Sequence, residues 1–238
     1  MAVDPLSARA ADGSEFVRPQ LLVPAYFHPA THPNEWAWLA ERAAQVRMIV
    51  LNLASGPGTE PDAAFFPALD RLRSAGVTVT GYVDTDYGHR SAYDAMADLA
   101  RYAEWYQVDG VFFDRAATTA EDVGYYADLA RKVRDTGVRM VAFNHGAHPV
   151  EAYAEHADLL GTFEGPWTAY QEVTVPHWVR ARPADQFFHL LYSVPVPSFD
   201  DATWLTARRN AGCAFVTDQG GVNPWDRLPA DAFGGQSR

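Results

Sequence analysis

Short apolar runs without a helical period alternate along this chain with longer stretches whose apolar positions recur every three to four residues. The runs predict strands at Leu21–Tyr26, Met48–Leu51, Val77–Val83, Gly110–Phe113, Met140–Phe143, Leu159–Phe163, Phe187–Tyr192 and Ala214–Thr217. Near-continuous apolar character is that of strands covered on both faces, as in a parallel sheet. The periodic stretches predict helices over Glu35–Ala44, Ala63–Ala75, Ala92–Trp105, Val123–Arg134 and Thr203–Asn210. In the third of these, Ala92, Ala95, Met96, Leu99, Tyr102 and Ala103 form a buried stripe, which leaves Asp94, Asp98 and Arg101 to solvent. Gly76 and Gly137 directly follow helical runs, as C-terminal stop signals do. Strands alternating with helices imply right-handed crossovers, and eight strands can close a single (β/α)8 TIM-type barrel. A doubly wound open sheet fits less well, because no Gly-x-Gly-x-x-Gly follows the first strand. The barrel domain is expected over 19–232, after a polar leader over 1–18 and before a flexible tail over 233–238. Gly13-Ser14-Glu15-Phe16 looks like a cloning-site scar, so the leader reads as partly vector-derived.

Parallel α/β barrels keep their chemistry at the carboxyl ends of the strands. Two predicted strands end abruptly in an acid: Gly110-Val111-Phe112-Phe113-Asp114 and Leu159-Leu160-Gly161-Thr162-Phe163-Glu164. Two acids on different strands facing one cleft are what acid/base cleavage of a glycosidic bond requires. Asp114 and Glu164 are therefore the candidate catalytic pair. Glu164 is also a poor helix cap, which weakens the structural explanation for it. The other strand ends add Tyr26, His28, Asn52, Tyr82, Asp84, Arg115, Asn144, Tyr192 and Asp218, with Trp167 and Trp225 as stacking walls. Any one of these could merely cap the next helix. Together they describe a polar, aromatic-walled cleft of the kind that holds a sugar.

Other chemistries find less support. His28 and His32 are four apart, but Pro29 and Pro33 oppose a regular helix across them, and His145 and His148 flank a loop glycine. Neither pair brings the acid-rich ligand set of a hydrolytic zinc, so no metal and no cofactor are expected. No Gly-x-Ser-x-Gly elbow is present for a serine nucleophile. The Ser55-Gly56-Pro57-Gly58 loop lacks the Lys-Ser/Thr of a nucleotide loop and reads as a tight turn that lets backbone approach a ligand.

Composition narrows the partners. The 238 residues carry a formal net charge of −11, which argues against nucleic acid, since phosphate binding needs basic patches. No run approaches the eighteen or so apolar residues of a membrane span. The one cysteine, Cys213, sits in an apolar stretch and reads as a core residue. The N-terminus lacks the layout of a signal peptide, so the chain is expected to be cytoplasmic if that terminus is native and secreted if a signal sequence was cut away. The expected ligand is a small molecule or an oligosaccharide.

Several segments resemble, in order, the spherulin-4 or spherulation-specific family 4 proteins, which include glycoside hydrolase family 135. They are Val23-Pro24-Ala25-Tyr26, Asn52-Leu53-Ala54-Ser55-Gly56-Pro57-Gly58, Gly81-Tyr82-Val83, Asp109-Gly110-Val111-Phe112-Phe113-Asp114, Thr162-Phe163-Glu164 and Asn223-Pro224-Trp225. The resemblance implies a (β/α) barrel, retaining cleavage of amino-sugar polymers such as galactosaminogalactan, and an acidic pair that falls on Asp114 and Glu164. Deacetylated galactosamine is cationic, which suits an acidic protein. Two positions depart from the family pattern: Arg115 stands where a second acid is usual, and Leu53-Ala54 where Pro-Asn is more frequent. If Arg115 lies beside Asp114, its guanidinium should favour the ionised carboxylate. Three functional readings follow. The first is a glycosidase. The second is a repurposed intracellular dehydratase, cyclase or lyase acting on a hydroxylated secondary metabolite, with Arg115 holding an enolate or acidic head group. The third is a carbohydrate-binding pseudoenzyme.

Overall fold

Eight strands pair in sequence order, each parallel to the next, and the last returns to the first to close the barrel. They are β1 (Gln20–Ala25), β2 (Val46–Leu51), β3 (Val79–Asp84), β4 (Gly110–Asp114), β5 (Met140–Asn144), β6 (Leu159–Pro166), β7 (Phe187–Tyr192) and β8 (Cys213–Val216). The helices are α1 (Pro33–Glu41), α2 (Phe66–Ser74), α3 (Ala92–Tyr106), α4 (Val123–Asp135), the short α5 (Trp167–Tyr170) and α6 (His177–Arg180), and α7 (Phe199–Arg208). This computed structural model describes residues 17–229 and 232; most of the expected leader, including the scar-like segment, and the expected tail lie outside them.

The (β/α)8 architecture expected from the alternation is the one observed, for a simple reason. Strand side chains that point inward fill the barrel, while those that point outward meet the helices, so both alternating sets must be apolar. Phe112 and Phe188 face each other at 5.6 Å, and Phe113 and Phe143 pack at 6.0 Å. Gly76 and Gly137 adopt φ of +79° and +85° after α2 and α4, the left-handed geometry that ends a helix.

Strand ends differ from the sequence reading where polar residues continue the ladder. β4 includes Asp114, which is in register with Asp84 of β3, and β6 runs on through Glu164 to Pro166. Both acids are thus strand residues, not loop residues, and their directions are set by the pleat. The predicted Ala63–Ala75 helix is broken into a 3-10 turn (Ala63–Phe65) and α2, with Asp62 Oδ1 accepting the Ala64 N–H at 2.9 Å. α7 begins at Phe199, earlier than predicted. On α3 two assignments are corrected: Ala103 is exposed and Asp98 is buried. Asp98 is drawn inward because Arg90 and Arg101 both donate to it, at 2.5 and 2.9 Å, and a paired carboxylate tolerates burial.

Candidate active site

The carboxyl ends of the strands form one mouth, and it is there that the two acids meet. Glu164 owes its direction to an irregularity in β6. Gly161 pairs with Phe188 and Glu164 with Leu190, so three steps along β6 match two along β7. Phe188 and Leu190 share the inward face, because side chains alternate along a strand. The extra residue in β6 is a bulge, and without it Glu164 would face the helices, since an odd step changes sides. Thr162 anchors the bulge: its hydroxyl is hydrogen-bonded to His189 Nε2 at 2.9 Å, and the other ring nitrogen meets the Tyr170 hydroxyl at 2.7 Å. Burial pushes His189 down to about 3, so the imidazole stays neutral in this bridge.

One amide links the two acids. The Asn144 side-chain nitrogen, at the end of β5, donates to Asp114 Oδ1 at 2.7 Å and to Glu164 Oε2 at 2.5 Å. Two oxygens bound to the same nitrogen are no farther apart than those two bonds laid end to end. Asn144 Oδ1 accepts in turn from the Gly146 N–H at 3.3 Å, which fixes the amide's orientation. Gly161 makes room for it: a Cβ there would lie 2.6 Å from the Phe188 ring and against Asn144 Oδ1. Asp114 Oδ2 receives the Tyr82 hydroxyl at 2.8 Å.

Burial raises both carboxyl groups above their ordinary values. Glu164 is pushed up to about 7, first by burial and then by the charge of Asp114, against the opposing hydrogen bonds of Asn144 and Trp225. Asp114 also shifts upward through burial, against donation from Tyr82, the Arg115 backbone N–H and Asn144. Glu164 is therefore about half-protonated near neutrality.

Around the acids, Pro24, Tyr26, Val50, Asn52, Tyr82, Phe112, Asn144, Leu190 and Trp225 line a cavity of about 40 Å3. Trp225 reaches it from the segment after β8, where its N–H is turned by Asn223 Oδ1 at 3.1 Å and its carbonyl accepts the Tyr26 N–H at 3.3 Å. Tyr192 stands edge-on to Trp225 at 6.0 Å and supports it from behind the lining. Asn52 spends its carbonyl oxygen on the Gly56 N–H at 3.1 Å and so shapes the Ser55–Gly58 turn, in which Ser55 and Gly58 have positive φ. A larger cavity, about 630 Å3, lies outside the barrel between α1, β1, β8 and α7, and holds neither acid.

The remaining sequence candidates fall elsewhere. His28 binds Asp62 Oδ2 through Nε2 at 2.8 Å and accepts the Ala30 N–H at 3.1 Å through Nδ1, so it joins two loops and does not line the cavity. Trp167 packs on Tyr170 at 6.2 Å, within the apolar cluster under α5 and α7. Asp218 acts electrostatically on Arg227. Asp84 and Arg115 pair with each other at 2.8 Å, and Arg115 also binds Asp86. The guanidinium therefore points along the rim, and the expectation that it favours ionised Asp114 is corrected: what Asp114 receives from Arg115 is its backbone N–H. Among the described residues, no group of three or more His, Cys, Asp or Glu is placed to hold a metal ion, and no helix is long and apolar enough to cross a membrane.

Sequence reasoning missed the cavity floor. Pro24, Val50, Phe112 and Leu190 each lie two residues before a polar candidate (Tyr26, Asn52, Asp114, Tyr192), hence on the same strand face. That spacing was a usable signal. The Asn144 clamp had none, because it depends on the register between three strands.

Comparison with known proteins identifies the family and supports the fold. A Spherulin-4 of Physarum polycephalum is 29% identical over 168 residues, which are 69% of this chain and 50% of that protein, so the chain spans about half the length of the curated relative. The crystal structure of Aspergillus clavatus Sph3 in complex with GalNAc superposes with a TM-score of 0.76 at 25% identity, covering 90% of this chain and 94% of that one. The Bacillus cereus spore cortex-lytic enzyme SleL, at a TM-score of 0.55 and 10% identity over 90% of this chain and 74% of its own, shares the fold. Residues 20–233 match the profile of Spherulation-specific family 4, and the chain belongs to that family.

Proposed function

We propose that this chain is a glycoside hydrolase that cleaves an amino-sugar-containing glycan with Asp114 and Glu164. The observation that carries the reading is the pair itself: two enclosed carboxyl groups, bridged by the Asn144 amide at 2.7 and 2.5 Å, at the carboxyl end of the barrel. An acid that is half-protonated near pH 7 is suited to protonate a leaving group, and Glu164, pushed up to about 7, takes that role and later acts as base. Asp114 receives Tyr82, Asn144 and a backbone N–H, donors that favour its charged form against burial. It serves as nucleophile or as the carboxylate that stabilises an oxocarbenium-like centre. The close bridge limits the separation of the two oxygens to the sum of its two bonds, which fits the spacing of roughly 5–5.5 Å found in retaining enzymes better than the wider gap of inverting ones.

Tyr26, Asn52 and Trp225 supply the aromatic faces and amide that would hold the sugar. The amino-sugar class is suggested by the GalNAc bound to Sph3. The test is release of reducing ends from galactosamine- and N-acetylgalactosamine-containing polymers. The wild-type chain should release them, with a rate that falls as pH rises past about 7 and Glu164 loses its proton. Glu164→Gln and Asp114→Asn should each lower the rate by about 10³-fold or more. Polymer binding without reducing ends, unchanged in Glu164→Gln, would instead make the chain a binding protein.

A further inference from the structure

A cavity of about 40 Å3 encloses no more than part of one sugar unit, so a longer glycan must continue across the rim. On the rim beside Asp114 stands an aromatic ring that packs against the Arg115 side chain, is otherwise half in water and takes no part in the catalytic pair. Tyr87, in the segment after β3, is 51% exposed. Its φ of 55° and ψ of 33° lie in the left-handed region, an uncommon place for a bulky side chain, and neighbouring Asp86 and Arg115 share that geometry with φ of 45° and 51°. The turn is held from several sides. Arg115 O accepts the Tyr87 N–H at 2.7 Å, and the Thr85 hydroxyl reaches Asp114 O at 2.9 Å and Arg115 O at 3.0 Å. Arg115 places its guanidinium carbon 5.0 Å from the Tyr87 ring centre, while Asp84, at 2.8 Å, and Asp86 fix the guanidinium from its edges.

A ring set in an unfavourable backbone conformation and left half in water gains little from burial. Outliers of this kind at a rim are retained where a rigid contact surface is needed, and an immobilised ring loses little freedom when a ligand arrives. Sugar rings present C–H groups that settle on the electron-rich face of an aromatic. Arg115 is matched by two carboxylates, so the patch carries a net negative charge that repels uronic or sulfated units.

We propose that Tyr87, backed by Arg115, is the platform of a second sugar-binding subsite on the β3–β4 side of the mouth. It takes a neutral or amino-sugar unit of the same glycan whose reacting unit lies between Asp114 and Glu164, and so rests on the glycosidase reading above. The experiment is calorimetric titration of the Glu164→Gln protein, which is expected not to turn substrate over, with N-acetylgalactosamine and with its oligomers of two to six units. Tyr87→Asn removes the ring while keeping a residue that tolerates the left-handed turn, and Tyr87→Phe restores the ring. Oligomer affinity should fall about five- to tenfold in Tyr87→Asn and return in Tyr87→Phe, with monosaccharide affinity unchanged throughout. Oligomer binding that is unaltered in Tyr87→Asn, or a loss shared equally by monosaccharide and oligomers, would overturn the subsite and leave the catalytic reading standing. If the Tyr87-containing protein binds neither sugar nor oligomer, and the wild-type chain releases no reducing ends, the glycan reading itself is lost and the subsite with it.

Discussion

A carboxyl group that burial and a neighbouring acid hold protonated stabilises the fold only while it keeps its proton, and Glu164 is such a group. Its ordinary value of 4.5 rises to about 7 in the folded chain. Between those values the folded chain binds a proton that the unfolded chain releases, so stability is full below about 4.5 and declines as pH rises through 7. Glu164→Gln keeps the shape and an acceptor for the Asn144 amide but cannot ionise. At pH 4 the variant and the wild type should melt together. At pH 8 the variant should be more stable by on the order of 3 kcal/mol, a Tm higher by several degrees. Melting curves across that range decide it, and parallel curves for the two proteins would mean that Glu164 ionises freely in the fold. The identity of the two acids was legible in the sequence because each interrupts an apolar run. The raised value of Glu164 was not, since it comes from burial in the closed barrel mouth and from the charge of Asp114 on another strand, against hydrogen bonds from Asn144 and Trp225.

At the scale of elements, β6 does more than carry an acid. Its bulge turns Glu164 inward, and its glycine admits the amide that bridges the pair. Gly161→Ala would put a methyl group 2.6 Å from the Phe188 ring and against Asn144 Oδ1, so either the ring or the amide must shift. Overpacking of this kind costs about 1–3 kcal/mol. Because Asn144 has only hydrogen bonds to hold it, it is the part expected to yield. The variant should still fold, should lose tenfold or more in turnover, and should show Glu164 titrating at an altered pH. Activity equal to wild type would mean that the clamp is not needed. The eight strands were readable from their apolar runs, and seven of them begin and end within two residues of expectation because both faces of each are covered. The bulge was not readable: Thr162 looks like any strand residue, and only the partner strand reveals it as the extra one. The same limit explains Asp98, whose arginine partners lie on the preceding loop and one turn along the helix.

For the whole molecule, closure of the barrel brings strand ends far apart in sequence to one rim, and sequence order alone sufficed to foresee that. Charge was equally plain as a sum, but its placement was not. The formal net charge of −11 acts as a diffuse field, while the rim sets Asp84 and Asp86 around Arg115. Such a field attracts a polycation and is indifferent to a neutral sugar. Dissolved salt shortens its reach, from about 10 Å at 0.1 M to about 3 Å at 1 M, whereas stacking and hydrogen bonds inside the cavity feel salt little. Deacetylated galactosamine oligomers should therefore bind the Glu164→Gln protein about tenfold more weakly at roughly 0.5 M than at roughly 0.05 M salt. N-acetylated oligomers of the same length should change by less than about twofold. The two ligands differ in the acetyl group as well as in the charged amine, but only the amine responds to salt, so the difference between their salt responses isolates the field. A common salt response would mean that the acidity of this chain governs its solubility and plays no part in choosing its glycan.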